Sequence, residues 1–148
     1  MELRSLSLAL AGDLDFRILK SYRKISDHKY HAIMIVEFSG DHGYGSGGNR
    51  NSDFMRTIVA ASLGLYLCNG FILDLRRLTY EFGDSLLSVL NLPLKLRGSG
   101  LEYRVLVSDI CDKGIESLLE FGQVKEKFQT RRDLEPCIEE IYDHLNST

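Results

Sequence analysis

Six residues, Gly43-Tyr44-Gly45-Ser46-Gly47-Gly48, satisfy the spacing G-x-G-x-x-G. Glycines so spaced let a backbone approach a pyrophosphate at a helix N-terminus. The order around them suits a dinucleotide site: a strand before, a helix after, and Asp74 closing the next strand. The detail fits less well. The first glycine comes several residues after the strand, and the helix is expected only after Asn49-Arg50-Asn51. Asp74 lies further on than the usual distance of about 20 residues. The segment from Gly40 to Asn51 therefore reads first as a mobile loop. Gly43, Gly45, Ser46, Gly47 and Gly48 remain an alternative site for an anion or nucleotide. No G-K-[ST] follows, which excludes a P-loop.

His28-x-x-His31 and Asp41-His42 suggest a metal cluster at first sight. The extended residues between them, at about 3.3 Å each, put the two pairs at opposite ends of a strand. They cannot share an ion, so the histidines read as surface residues and no metal is expected. Cys68, Cys111 and Cys137 are odd in number, far apart and without a C-x-x-C spacing. That points away from zinc and thiol–disulfide sites and towards a reducing cytoplasm. Cys68 and Cys137 fall in apolar patterns and read as small core residues.

Glu81, Asp84 and Ser85 cluster after a buried strand. In open α/β sheets ligands bind outside the carboxyl ends of strands. Two carboxylates there could exchange protons if burial raised one pKa, or meet a partner, or serve as an N-cap and a solvated charge. Nucleophilic catalysis finds no motif: Ser46 has Tyr44 where G-x-S-x-G requires glycine, and no histidine is near Cys111 in sequence. No catalytic residue and no cofactor is assigned.

The elements that carry these residues come from a chain of 148 residues, with 44% apolar and 26% charged residues. That length favours one domain and needs no disulfide staple. A net charge of −3 argues against nucleic acid. Glu2 and a very short apolar run make the first residues a poor signal peptide. The uncharged run from Thr57 to Leu73 is interrupted by Asn69-Gly70, so it reads as a buried helix followed by a buried strand rather than a membrane span.

Alternation predicts a half-exposed strand over roughly 15–25, with a turn at Ser26 to Lys29. Largely apolar runs predict central strands at 32–37, 71–75 and 103–107 as parallel neighbours. A helix is expected between the first two, capped by Asn51, Ser52 or Asp53. Its apolar face is Phe54, Met55, Ile58, Val59, Ser62, Leu65 and Tyr66. A loop from Arg76 to Gly83 leads to a helix capped by Gly83-Asp84 and ended by Pro93. Ile115, Leu118, Leu119 and Phe121 mark a third helix stopping at Gly122. Phe128-Gln129 reads as a short edge strand. Asp133 caps a last helix whose core face is Leu134, Cys137, Ile138, Ile141, Tyr142 and Leu145.

Three stretches give this order a family resemblance. Val36-Glu37-Phe38-Ser39-Gly40 resembles the second strand of the STAS domain family, which includes the bacterial anti-sigma factor antagonists. Phe71-Ile72-Leu73-Asp74-Leu75, with Leu78 and Tyr80, resembles that family's "LDL…V.Y" strand. Lys113 to Leu145 resembles its ending of helix, glycine, short strand with phenylalanine, and helix. The resemblance implies an α/β fold: a single STAS-like domain with a mixed, mostly parallel sheet of four or five strands and three or four helices.

It also implies a partner-binding loop and helix start after the "LDL" strand, where Asp precedes a phosphorylatable Ser or Thr. An ungapped match puts that pair on Phe82-Gly83, neither of which accepts phosphate. A two-residue insertion puts it on Asp84-Ser85, but Leu86-Leu87 then stand where the family has a small residue and Gly-Leu. On the first match Ser85 is an ordinary first-turn residue and Asp84 a permanent negative charge. On the second Ser85 is the phosphosite.

The reading is a non-enzymatic, cytoplasmic interaction domain that contacts a protein partner through Glu81, Phe82, Asp84 and Ser85. A second copy of the chain is left open as a partner. The alternative is a small nucleotide binder or enzyme, dinucleotide-binding or crotonase/ClpP-like, that uses the glycine-rich segment 40–51.

Overall fold

The computed structural model describes residues 13–124 and 128–147. Its elements are β1 (Asp15–Ser26), β2 (Lys29–Asp41), α1 (Gly45–Leu65), β3 (Gly70–Thr79), α2 (Leu86–Arg97), β4 (Glu102–Leu106), α3 (Asp112–Phe121), β5 (Thr130–Arg131) and α4 (Leu134–Asn146). The strands form one sheet in the order β1-β2-β3-β4-β5. β1 and β2 are an antiparallel hairpin, and β2, β3, β4 and β5 run parallel. The three apolar runs are thus the parallel neighbours that their composition predicts.

Period-two alternation sorts the strand side chains onto two faces. Met34, Val36, Phe38, Phe71, Leu73, Leu75, Tyr103 and Val105 pack with Phe54, Met55, Val59, Leu86, Val89, Leu90, Ile115 and Leu118 of α1, α2 and α3. Ile33, Ile35, Ile72 and Leu106 pack with Cys137, Ile141 and Tyr142 of α4 on the other face. Fully burying one such side chain contributes about 1.5–3 kcal/mol. The same alternation puts Asp74 on the α4 face. There it is buried and paired with Arg76 at 2.9 Å.

Five local expectations are corrected. The glycine-rich segment is not a loop through Asn51: β2 runs to Asp41 and α1 begins at Gly45. Asn51 and Ser52 do not cap. They lie inside the helix, and their side chains turn inward to the chain that enters it. Of the expected apolar face of α1, Leu65 and Tyr66 are exposed and Leu63 is buried, because the helix ends at Leu65. Pro93 stands inside α2, buried, and does not end it; Arg97 at the far end donates to the Cys68 carbonyl at 2.9 Å. The edge strand is Thr130–Arg131, because Phe128 is drawn into the core against Tyr103, 6.0 Å away.

Among the described residues no helix is long and apolar enough to cross a membrane. Cys68, Cys111 and Cys137 are all free and buried. Burial pushes each thiol upward, Cys137 to about 11, so all three favour the unreactive protonated form.

Candidate functional site

β2 and β3 end side by side. Their register pairs Asp41 with Thr79, and the His42 amide donates to the Thr79 carbonyl at 2.9 Å. From this shared end, one chain turns into α1 and the other into the loop before α2. The two connections then lie against each other.

The first turn is built by glycine. Gly43 has φ +70 and Gly45 φ +63, backbone that side chains rarely adopt. Gly48 returns so close that a Cβ there would sit 2.9 Å from the Gly43 carbonyl oxygen. The Asp41 carboxylate accepts the Gly43 amide at 3.0 Å. Asn51 Nδ2 donates to the His42 carbonyl at 2.9 Å. The turn is therefore hydrogen-bonded on several sides.

His42 is fully buried, which corrects its reading as a surface residue. Its Nδ1 lies 2.8 Å from the Gly43 carbonyl and its Nε2 2.8 Å from Ser52 Oγ. A carbonyl only accepts, so Nδ1 carries the hydrogen and Nε2 accepts from the Ser52 hydroxyl. Ser52 Oγ then accepts from Ser85 Oγ, 2.9 Å away. Burial holds the His42 pKa below its ordinary value, against the raising effects of the Gly43 carbonyl and Asp41. Ser52 and His42 have the spacing of a nucleophile and its base. Both are buried, however, so no substrate can reach the pair.

The second connection carries Glu81, Phe82, Asp84 and Ser85. Tyr80 is buried against His42, with ring centroids 5.2 Å apart, and its hydroxyl donates to the Gly83 carbonyl. Burial first, then Asp84, pushes its pKa up to about 12, so the hydroxyl keeps its proton. α3 braces the loop from the far side through Gly114. A Cβ there would meet the Glu81 carbonyl oxygen at 2.7 Å. Ser85 is the N-cap residue of α2 and half-buried, while Glu81, Phe82 and Asp84 are exposed.

The structure thus gathers the four residues expected from sequence and adds His42, Ser52 and Tyr44. Phe82 stacks on Tyr44, with centroids 4.7 Å apart. One sequence signal pointed to Ser52: it stands three residues before Met55 and seven before Val59, on the apolar stripe of α1. His42 had no such signal. His28 and His31 lie at the hairpin end of β2, Asp41 and His42 at the other end. The glycine motif does sit at a helix N-terminus, closer to a dinucleotide arrangement than expected. Asp74, the acidic residue that arrangement would use, faces α4 on the opposite side of the sheet.

No family model matches the chain, and no curated protein matches it in sequence. Among solved structures, an anti-sigma factor antagonist from Mycobacterium paratuberculosis matches with a TM-score of 0.58. The match covers 85% of this chain and 95% of that one, at 13% identity. The chain has the STAS fold. The anti-sigma factor antagonist SpoIIAA in its unphosphorylated form is also similar, over 88% of this chain and 98% of its own. That match has 13% identity and a TM-score of 0.49. Within the STAS fold, the end of β3 and the start of α2 are the strand, loop and helix start that the sequence resemblance singled out.

Proposed function

We propose that this chain is a non-enzymatic regulatory domain that binds a protein partner through Glu81, Phe82, Asp84 and Ser85. The observation that carries the reading is a rigidly braced loop that nevertheless exposes an aromatic ring. Tyr80, Gly114 and the Ser52–Ser85 hydrogen bond hold the loop from beneath, yet Phe82 is 55% exposed between the carboxylates Glu81 and Asp84. A loop ordered in advance costs little entropy on association. Exposed aromatics with a polar rim are the usual anchors of interfaces. The fold is consistent with this reading, since its solved neighbour is itself named an antagonist of an anti-sigma factor.

Asp84 is the charge that meets the partner in this reading. Its carboxylate projects from the start of α2, whereas the Ser85 hydroxyl is turned inward to Ser52. The position of Asp84-Ser85 immediately before α2 supports the two-residue insertion. Phosphorylation of Ser85 would replace the hydroxyl that donates to Ser52 and set about two further negative charges beside Asp84. The buried free thiols suit a reducing cytoplasm.

The test is photo-cross-linking in the native host, with a benzophenone amino acid in place of Phe82 or of Tyr30 at the distant hairpin. A protein adduct specific to position 82 is expected. Adducts at both positions alike, or at neither, would contradict the reading.

A further inference from the structure

The glycine turn and the loop before α2 enclose a small cavity of about 150 Å3. It is lined by Asp41, Gly43, Tyr44, Thr79, Glu81 and Phe82. Two of these are aromatic rings stacked on each other, and two are carboxylates. Neither Asp41 nor Glu81 is ion-paired among the described residues, although the Asp41 carboxylate accepts the Gly43 amide at 3.0 Å. Tyr44 and Phe82 are 67% and 55% exposed, so the cavity opens to solvent.

The lining decides what class of ligand fits. Pockets for small molecules usually run to about 300–1,000 Å3, so a nucleotide has no room. Electrostatics exclude it as well. The N-terminus of α1 offers roughly half a positive charge, while the two carboxylates bring two negative ones. A phosphate beside the glycine turn would be repelled. A cation is attracted by the carboxylates and by the faces of aromatic rings. A flat cation fits better than a compact one, because a guanidinium stacks on rings and forks onto carboxylates while an ammonium does neither.

We propose that this cavity receives an arginine side chain of the protein partner. This rests on the partner reading, since Glu81 and Phe82 belong to both. It adds Asp41, Tyr44 and Thr79 to the contact surface and names the chemistry that the partner must present. The guanidinium lies against Tyr44 and Phe82 and donates to Glu81 and to the free oxygen of Asp41. The glycine turn then serves to bring Tyr44 and Asp41 to the loop before α2. It does not cradle a phosphate.

The experiment is a titration of the isotopically labelled chain, followed through its backbone amide NMR signals. The probes are Nα-acetyl-arginine methylamide, its neutral isostere Nα-acetyl-citrulline methylamide, and inorganic phosphate. The arginine probe is expected to move the amides of Gly43, Tyr44, Thr79, Glu81 and Phe82 saturably. Citrulline binds at least about tenfold more weakly, having no charge to assist its hydrogen bonds. Glu81→Gln and Phe82→Ala each weaken the arginine probe with the other amide signals unchanged. Glu81→Gln also weakens the partner cross-linked at position 82.

Equal binding of arginine and citrulline, or phosphate shifts at these amides, would overturn the proposal. The two readings fail differently. A partner that cross-links at position 82, with the arginine probe silent, leaves the partner reading standing and removes the cation pocket. A bound arginine probe with no partner adduct leaves a guanidinium pocket and removes the partner as its occupant.

Discussion

Ser85 Oγ stands 2.9 Å from Ser52 Oγ, which stands 2.8 Å from Nε2 of the buried His42. Three side chains from three separate segments form one hydrogen-bonded line. It begins at the half-exposed start of α2 and ends at the Gly43 carbonyl in the glycine turn. Through it the loop before α2 and the N-terminal turns of α1 are held as one surface. With His42 neutral the hydroxyls donate inward, from Ser85 to Ser52 to Nε2; a protonated Nε2 would donate to Ser52 and turn both bonds outward.

Burial of the imidazole gives a pH dependence. The folded pKa of His42 is held below its ordinary value, chiefly by burial. The unfolded chain therefore binds its proton first as pH falls. The stability contributed by neutral His42 is fully present above the unfolded value of about 6.5 and is lost progressively below it. His31, also lowered by burial, adds in the same direction. Asp112 and Glu140, lowered by Arg132 and Arg131, act only below the ordinary carboxylate range. Denaturant unfolding should thus show stability falling progressively as the pH drops below about 6.5. His42→Gln should be less stable at pH 7 and show a flatter profile. An unchanged slope would contradict the neutral buried imidazole.

Gly114 fixes the distance between α3 and the loop. A methyl group there would lie 2.7 Å from the Glu81 carbonyl oxygen and 2.8 Å from Tyr80 Cδ1. Both neighbours are confined, so the loop or the helix must shift. Gly114→Ala should destabilise by about 1–3 kcal/mol, the usual cost of overpacking. It should also move the amide signals of Tyr80 to Asp84. Gly47→Ala is the control: nothing lies within 4 Å of its added Cβ, and it replaces a helical glycine. It should stabilise by up to about 1 kcal/mol. Equal effects of the two substitutions would remove the bracing role.

The parallel sheet was legible because Ala32 to Val36 is a continuous apolar run, and Phe71 to Leu75 and Tyr103 to Val107 are apolar but for Asp74 and Arg104; such runs have few other homes. The start of α1 was not. Four glycines between residues 43 and 48 signal a loop locally, but contacts from His42, Asn51 and Ser52 hold them against the sheet. Pro93 likewise reads as a stop, and packing between helices carries α2 past it. Glu81, Phe82, Asp84 and Ser85 were legible as one cluster because they are neighbours in sequence. Asp41, Tyr44 and Thr79 join them only through the register of β2 on β3 and the Tyr44–Phe82 stack. Neither contact leaves a mark at its own position in the sequence.

If a partner reads the face that Asp84 presents, one affinity series will show it. The partner captured at position 82 is titrated against the wild-type chain, Ser85→Ala and Asp84→Lys, with the intact mass of the native protein recorded alongside. Ser85 donates inward, so Ser85→Ala should lose a hydrogen bond of about 0.5–1.5 kcal/mol from folding and leave binding nearly intact. Asp84→Lys reverses an exposed charge and should weaken binding about tenfold or more, with the fold unchanged. If Asp84→Lys binds like the wild type while Ser85→Ala does not, the account is contradicted.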